Sequence, residues 1–253
     1  MAFLVTASDL HPKNPGNIML KYADDCDLLV PSSCGQTIQS ELDHISTWAS
    51  NNNLKLNQQK SYEMIVRRPR QRKDAFTMPT EHPGLTRVDE VTALGVTLSN
   101  TINFKAHIDR ICKQARQSMY ALRVLSAHGL GGVQLQDVTR ATVVARLLYA
   151  SPVWWGYADA ESKSRLQATI RKLIRCRYLP GDFPPYADLC DTADDHLFSA
   201  VLTDRNHVLH QLLPPVQNVH YSLRPRAHNR TIPLADNLER TLYSECCIKI
   251  LSK

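Results

Sequence analysis

The stretch Asn17-Ile-Met-Leu-Lys-Tyr-Ala-Asp-Asp-Cys-Asp-Leu-Leu-Val30 places two short apolar runs on either side of a polar tetrapeptide, Tyr22 to Asp25. Apolar runs of this length that flank a short polar segment are typical of the two strands of a β-hairpin. The sequence therefore predicts an antiparallel hairpin with two adjacent aspartates, Asp24 and Asp25, at its turn.

The adjacent carboxylates of Asp24 and Asp25 indicate a possible cation site. Like charges a few ångströms apart repel each other unless a cation lies between them and a partner. Mg²⁺ is a hard ion that binds one or two carboxylates together with substrate phosphates, and paired ions can hold both oxygens that react in a phosphoryl transfer. A solvated turn is also often rich in aspartate, so these two residues alone give both interpretations equal weight.

The first hundred residues carry a mixture of helical and strand patterns. One amphipathic helix is expected at residues 36–52, and strands are expected at 54–56, 62–66, 85–88 and 92–98. Gly95 lies inside the last of these runs, where a bulge or a close backbone approach would require it.

From residue 103 onward the apolar spacing is that of helices. Four helices are expected around residues 108–125, 135–148, 159–178 and 196–213. The predicted fold class is α+β, with domains at 1–102, 103–180 and 181–253 and with loose packing in the last part of the chain.

Charge, cysteine content and the length of apolar runs indicate which classes of protein this chain could belong to. The chain has 30 Lys and Arg against 24 Asp and Glu, a net charge of +6 and a pI near 9.0, as many proteins that bind polyanions do. Seven cysteines without a C-x-x-C pair favour neither a disulfide framework nor a knuckle-type zinc site. Since no apolar run is long enough for a membrane span and the start lacks a charged n-region, we expect an intracellular protein, nuclear or cytoplasmic.

Several motifs along the chain resemble landmarks of one family, in that family's order. Lys21-Tyr-Ala-Asp-Asp25 resembles the palm hairpin of reverse transcriptases, and its surroundings resemble the enzymes of non-LTR (LINE-type) retrotransposons. The other landmarks are Ala7-Ser-Asp-Leu-His-Pro12, Asn53-Leu-Lys-Leu-Asn-Gln-Gln-Lys60, Ala93-Leu-Gly-Val96, Leu147-Leu-Tyr-Ala-Ser-Pro-Val-Trp-Trp-Gly156 and Leu223-Arg-Pro-Arg-Ala-His228. The chain departs from the family at Cys26, where a hydroxyl residue is frequent, and at Asn53, where glycine is usual.

The resemblance implies a partial palm followed by a helical thumb and a C-terminal extension. It implies that Asp24 and Asp25 hold Mg²⁺ or Mn²⁺, and that Lys60 lies near the triphosphate of a deoxynucleoside triphosphate. The partners it implies are an RNA template and a DNA primer. Residues implied to contact nucleic acid near the acidic pair are Tyr22, Leu94, Gly95 and Val96. A solvated turn lysine explains Lys60 equally well, and a buried strand explains Leu94 to Val96 almost as well.

Two basic stretches are candidates for phosphate contacts. The first is the loop 67–73, with Arg67, Arg68 and Arg70, and the second is the face of the helix at 163–177 that carries Lys172 and Arg175. Solvated surface charge is the commoner explanation for any single residue of this kind.

By the same resemblance, polymerisation also needs an aspartate on an earlier palm strand and a Gln-Gly segment, and the sequence shows neither. Asp9 is a poor substitute, since Pro12, Pro15 and Gly16 would break a helical crossover to Asp24. We therefore expect a truncated RNA-directed DNA polymerase that does not synthesise DNA alone. The alternatives are a non-catalytic nucleic-acid-binding protein that keeps the thumb, and a globular protein that merely contains Tyr-Ala-Asp-Asp.

Overall fold

The structure is a computed structural model that describes residues 7–67 and 81–216, together with the backbone of 246–251. Contacts divide these residues into two compact units. The first contains 7–67, 81–102 and 246–251, and the second contains 103–216. The fold is α+β, with strands in the first unit and helices in the second.

The first unit combines two antiparallel hairpins with one helix. Its elements are a 3-10 turn at Ala7–Asp9, β1 (Ile18–Tyr22), β2 (Asp25–Pro31), a 3-10 segment at Ser32–Thr37, α1 (Ile38–Asn51), a 3-10 turn at Gln58–Lys60, β3 (Tyr62–Ile65), β4 (Thr86–Arg87), β5 (Glu90–Ala93), β6 (Val96–Ser99) and β7 (Cys246–Leu251). Five strands form a sheet in the order β1-β2-β7-β3-β4, and β5 and β6 form a separate pair. Only β3 and β4 pair in parallel among these described strands.

The predicted hairpin at the acidic turn is confirmed. β1 and β2 pair antiparallel from Ile18 opposite Leu29 to Tyr22 opposite Asp25. The turn between the strands consists of two residues, Ala23 and Asp24. The two aspartates therefore lie at the end of the hairpin, as the apolar runs on either side indicated.

Helix α1 covers one side of the five-stranded sheet, which we call the first face. β2 alternates buried and partly exposed side chains, as expected for a strand whose two faces differ in environment. The buried side chains that pack together on the first face are Leu10, Leu28, Val30, Ile38, Ile45 and Ile65. The predicted helix over 36–52 is thus confirmed, with an α-helical core at Ile38–Asn51.

The opposite side, which we call the second face, is covered in part by the β5–β6 hairpin. Met64 of β3 is fully buried there, and Val66 and Val91 pack with it. β3 is therefore buried on both faces. This packing holds the turn of the β5–β6 hairpin close to the sheet.

Two strand predictions are wrong. Residues 54–56 form no strand, because Asn53 adopts φ 55° and the Leu54 N–H bonds the Ala49 carbonyl, which closes α1. The run at 92–98 is two strands, because Leu94 and Gly95 turn the chain with φ 46° and 81°. Positive φ at both central residues is the signature of a two-residue hairpin turn.

The prediction also differs from the structure near the C-terminal end of the chain, where residues 246–251 form a strand. β7 lies at the centre of the sheet, where it pairs antiparallel with β2 on one side and β3 on the other. A pairing between residues so distant in sequence leaves no local signal. The expectation of loose packing is therefore wrong for residues 246–251.

The second unit is helical. Its elements are α2 (Lys105–Ala127), α3 (Gly132–Thr139), a π-helical turn (Arg140–Val144), α4 (Ala145–Leu148), α5 (Ser151–Trp154), a 3-10 turn (Trp155–Tyr157), α6 (Ala160–Arg175), α7 (Tyr186–Thr203) and a 3-10 turn (His210–Leu212). The helices predicted at 108–125 and 159–178 are confirmed as α2 and α6, and the apolar residues of α6 at three- and four-residue spacing, Leu166, Ile170 and Leu173, are fully enclosed. Leu125, near the end of α2, is 40% exposed.

The fourth helix begins about two to three helical turns before the predicted range. α7 begins at Tyr186 and ends at Thr203, instead of covering 196–213. Four aspartates between residues 188 and 195 interrupt the apolar spacing, so periodicity alone does not reveal the start of this helix. Asp194 and Asp195, which precede the predicted range, lie in the middle of the helix. No helix in the described part of the chain has the length and apolar character of a membrane span.

Candidate functional site

The acidic turn places its side chains in two different environments. Tyr22 and Asp24 are exposed, whereas Asp25 is partly buried at the start of β2. Ala23 adopts φ 52°, a left-handed conformation that costs a residue with a Cβ atom energy. Backbone strain of this kind is found at functional sites more often than elsewhere.

Asp25 and Asp27 lie on the second face of the sheet. Successive side chains of a strand point to opposite faces, and Cys26 and Leu28 are buried on the first face. The two carboxylates are thus neighbours along the strand, whereas Asp24 belongs to the turn. Asp27 had not been singled out from the sequence, although an Asp-x-Asp spacing inside a predicted strand is a signal for a shared face.

A cavity of about 470 Å³ opens on this face, within the first unit. We call it the acidic cavity. It brings together three residues that the sequence analysis had named separately, Asp25, Lys60 and Leu94. Its remaining lining residues are Asp27, Tyr62, Val88, Glu90, Val91, Thr92 and Ala93.

Asp27 is the residue of the acidic cavity whose pKa is clearly shifted. Burial, with a further contribution from the charge of Asp25, raises the pKa of Asp27 to about 6. The buried Oδ1 atom of Asp27 has no hydrogen-bond partner in the described part of the chain. A buried acceptor without a donor is costly, so a proton or a cation in the cavity would stabilise this oxygen.

Lys60 supplies the opposite charge. It ends the 3-10 turn that precedes β3, and its side chain is exposed. Within the residues that the structure describes, Lys60 forms no ion pair, so its ammonium group is available to an anion that enters the cavity.

Of the four residues implied to contact nucleic acid near the acidic pair, Leu94 lines the acidic cavity. Leu94 is 48% exposed at the turn of the β5–β6 hairpin, and Gly95 follows it in the same turn. Val96 is 7% exposed and pairs with Ala93. The side chain of Val96 therefore belongs to the packing of the hairpin.

The basic residues are distributed over both units. The backbone N–H of Arg67 donates to the Asn100 carbonyl at 2.8 Å, and its side chain is partly buried. Arg68 and Arg70 lie outside the described residues, as does the stretch 223–228. Lys172 and Arg175 are exposed on α6 in the second unit.

Asp9 is engaged elsewhere in the first unit. Its Oδ1 accepts a hydrogen bond of 3.0 Å from the indole nitrogen of Trp48. Trp48 packs against the cluster on the first face, whereas Asp25 lies on the second. Asp9 is thus a partner of helix α1 and not of the acidic pair.

The donor atoms near the turn have the right chemistry for a hard divalent cation, but they are few. Asp24, Asp25 and Asp27 offer carboxylate oxygens. The Oδ1 of Asp27, which lacks a hydrogen-bond partner among the described residues, could bind a cation or a proton. In the described ranges, however, no group of three or more His, Cys, Asp or Glu residues is arranged to hold a metal ion. Carboxylates so few in number would leave most coordination positions of such an ion to water.

Comparison of the chain with protein-family models, with curated proteins and with solved structures finds no match.

Proposed function

We propose that this chain is part of an RNA-directed DNA polymerase of the non-LTR retrotransposon type, and that the acidic cavity is the remnant of its nucleotide and metal site. In this proposal the first unit is a partial palm and the second unit is the helical thumb. By itself the chain binds a metal-bound triphosphate weakly and does not extend a primer.

The observation that supports this proposal is the lining of the acidic cavity. Asp25, Lys60 and Leu94 come from three separate motifs of the resemblance and line one cavity. A phosphate-binding cavity needs an anchoring cation on one wall and, for a bound metal ion, carboxylates on another. The exposed lysine and the carboxylates on β2 satisfy both requirements.

Each residue then has a defined role. Asp24 and Asp25 are the carboxylates that would hold Mg²⁺, which when bound would neutralise charge on phosphate oxygens. Lys60 donates to the terminal phosphates and offsets the negative charge of the leaving pyrophosphate. The exposed turn at Leu94 and Gly95 limits the space in which the end of a primer can lie.

In this proposal the same geometry makes catalysis incomplete. Efficient phosphoryl transfer requires ions held firmly enough to position both reacting oxygens. Here Asp24 and Asp25 supply two carboxylates, whereas Asp9 is hydrogen-bonded to Trp48 on the first face. The cation is therefore held loosely and the cavity stays open to water.

The test measures binding and synthesis separately. Binding of Mn²⁺ and of Mn²⁺ with a deoxynucleoside triphosphate is followed by electron paramagnetic resonance of the full chain. We expect Asp25→Asn to weaken Mn²⁺ binding by about tenfold, since a charged ligand is lost. Lys60→Ala should weaken binding of the triphosphate more than binding of the ion alone.

Two surface variants serve as controls, and one result would overturn the proposal. Asp43→Asn and Lys55→Ala remove exposed charges outside the cavity and should change neither measurement. Equal Mn²⁺ binding by the wild type and Asp25→Asn would contradict the metal site. Primer extension on a primed RNA, abolished by Asp24→Asn, would contradict the claim that the chain is inactive alone.

The second candidate, a nucleic-acid-binding protein without catalysis, is favoured by α6. Arg171, Lys172 and Arg175 are exposed along this helix and form no ion pair within the described ranges. Exposed cations that lack internal partners are suited to phosphate contacts. Binding without any effect of Asp25→Asn would favour this candidate over the first.

Its test is the salt dependence of binding to a primer–template duplex, followed by fluorescence polarisation. Each phosphate contact adds roughly one to the slope of log affinity against log salt concentration. The double variant Lys172→Ala with Arg175→Ala should lower that slope by about two. An unchanged slope would exclude α6 from the interface.

A further inference from the structure

An apolar groove lies in the second unit, and none of its lining residues belongs to the acidic cavity or to α6. It has a volume of about 550 Å³ and is formed by α5, α7 and the residues around the 3-10 turn at His210–Leu212. We call it the α7 groove. Its lining residues are Pro152, Asp194, Asp195, Leu197, Phe198, Val201, Leu209, Leu212 and Leu213.

The lining of the α7 groove is mainly apolar, and part of this apolar surface is exposed. Leu212 is 75% exposed and Leu209 is 39% exposed, while Val201 closes the bottom at 4%. The Nδ1 of His210 donates a hydrogen bond of 2.7 Å to the Val201 carbonyl and ties the wall of the groove to the end of α7. The groove is therefore preformed, and a preformed concave apolar surface with a few polar groups at its edge is the usual form of a binding site.

One end of the α7 groove is acidic. Asp191, Asp194 and Asp195 are exposed on α7, and within the described ranges none of them forms an ion pair. Burial, followed by the charges of Asp191 and Asp195, raises the pKa of Asp194. These carboxylates repel one another, so a cationic partner would relieve an existing repulsion.

The charged and apolar residues follow one another along a single face of α7. Asp191, Asp194, Asp195, Phe198 and Val201 are spaced at three and four residues, which places them in one stripe. The stripe runs for about 15 Å, since a helix rises about 1.5 Å per residue. Its first half is acidic and its second half is apolar.

We propose that the α7 groove binds an amphipathic helix of another protein, one that carries lysine or arginine at one end of its contact face and leucine-like side chains at the other. The apolar side chains enter beside Phe198 and Leu212, and the cations meet Asp191, Asp194 and Asp195. A helix fits because the groove walls are themselves helical and offer no strand edge to an extended peptide, whereas a helix satisfies its own backbone. Nucleic acid is excluded as the occupant because three carboxylates would repel its phosphates.

The probe is a fluorescein-labelled peptide of about 15 residues, long enough to form a helix when bound. It contains leucines on one face in one half and lysines on the same face in the other half. A second peptide carries glutamate in place of every lysine. Binding of both to the full chain is measured by fluorescence polarisation at low and at high salt.

We expect the lysine peptide to bind at micromolar concentration and the glutamate peptide to bind at least tenfold more weakly. The double variant Asp194→Asn with Asp195→Asn should weaken the lysine peptide about three- to tenfold at low salt and less at high salt. Leu212→Asp should weaken it more than tenfold, because a charge would enter the apolar half of the groove.

Two matched variants test whether the groove itself is responsible. Val208→Asp alters a residue that is 78% exposed in the same segment but does not line the groove, and Asp182→Asn removes an exposed charge outside it. Both should bind the lysine peptide like the wild type. Equal binding of the two peptides, or equal loss with Leu212→Asp and Val208→Asp, would overturn the proposal. So would a dimer in sedimentation that dissociates with Leu212→Asp, because a second copy would then be the occupant.

Discussion

Asp25 and Asp27 lie two residues apart on one face of β2, where burial and the charge of Asp25 together raise the pKa of Asp27 to about 6. The folded chain therefore holds a proton on Asp27 over a pH range in which the unfolded chain releases it. This relationship connects the stability of the hairpin to the charge of the acidic cavity.

Asp27→Asn should stabilise the chain at pH 8 and have little effect at pH 4. The pKa of Asp27 is 3.8 in its ordinary state and about 6 in the fold, so ionisation opposes folding as the pH rises from about 4 through 6. We expect a gain on the order of 1 kcal/mol at pH 8, since solvent screens part of the effect. Urea unfolding at both pH values measures it. A loss of stability at pH 8 would mean that the carboxylate has a partner it needs.

Ala23→Gly should stabilise the hairpin. Ala23 has φ 52°, which costs a residue with a Cβ atom about 1–2 kcal/mol, whereas glycine pays about 0.5–1 kcal/mol in lost chain entropy. The expected net gain is about 0.5 kcal/mol. Ala23→Val at the same position should destabilise, because a β-branched side chain tolerates this conformation less well. Thermal unfolding of the wild type and both variants ranks their stabilities. A valine variant more stable than the wild type would show that the backbone of Ala23 is not strained.

Glu41→Gln should destabilise the first unit, and the cost should disappear in acid. Glu41 is fully buried in α1, and its carboxylate accepts the N–H groups of Lys13 and Asn14 at 2.9 and 2.7 Å and the amide of Asn17 at 2.9 Å. Burial favours a raised pKa, but these hydrogen bonds outweigh it and hold the pKa of Glu41 below its ordinary value of 4.5.

The direction of that shift sets the pH dependence. The stabilisation is present above the ordinary value and is lost as the pH falls through the lower pKa of the folded state. We expect a cost of about 2 kcal/mol at pH 7, as for other charge-assisted hydrogen bonds. Urea unfolding at pH 7 and at pH 3 provides the comparison, with Asp43→Asn, exposed on the same helix, as the control. A cost that is equal at both pH values would point to packing alone.

Tyr186→Phe should destabilise the helical unit by about 1–2 kcal/mol, because it leaves a buried carbonyl without a donor. The hydroxyl of Tyr186 is buried and donates to the carbonyl of Leu147 at the end of α4. Tyr120→Phe removes a hydroxyl from a side chain that is 71% exposed and should be neutral. Far-UV circular dichroism during urea unfolding reports on the helices. Equal stability of the two variants would show that the bond contributes nothing.

The candidate site could be predicted from the sequence only in part. Adjacent aspartates between two apolar runs predicted the hairpin turn, and the motifs around Lys60 and Leu94 singled out two further residues of the cavity. The sequence did not predict that Asp27 and Glu90 line the cavity. The residues next to a carboxylate in a strand do not indicate whether it faces a cavity or open solvent. The run at 92–98 was read as one strand because the Leu94–Gly95 turn lies between two equally β-rich segments.

Local signals in the sequence were enough to predict the hairpin of β1 and β2, the helices α1, α2 and α6, and the change from strands to helices along the chain. Apolar periodicity and turn residues act over a few positions, so they can be recognised without knowledge of the fold. The position of β7 between β2 and β3, and the cavity that Asp25, Asp27, Lys60 and Glu90 line together, became evident from the three-dimensional arrangement alone. These contacts join residues far apart in the chain, and their free energy depends on how the faces of the sheet pack, which no short stretch of sequence encodes.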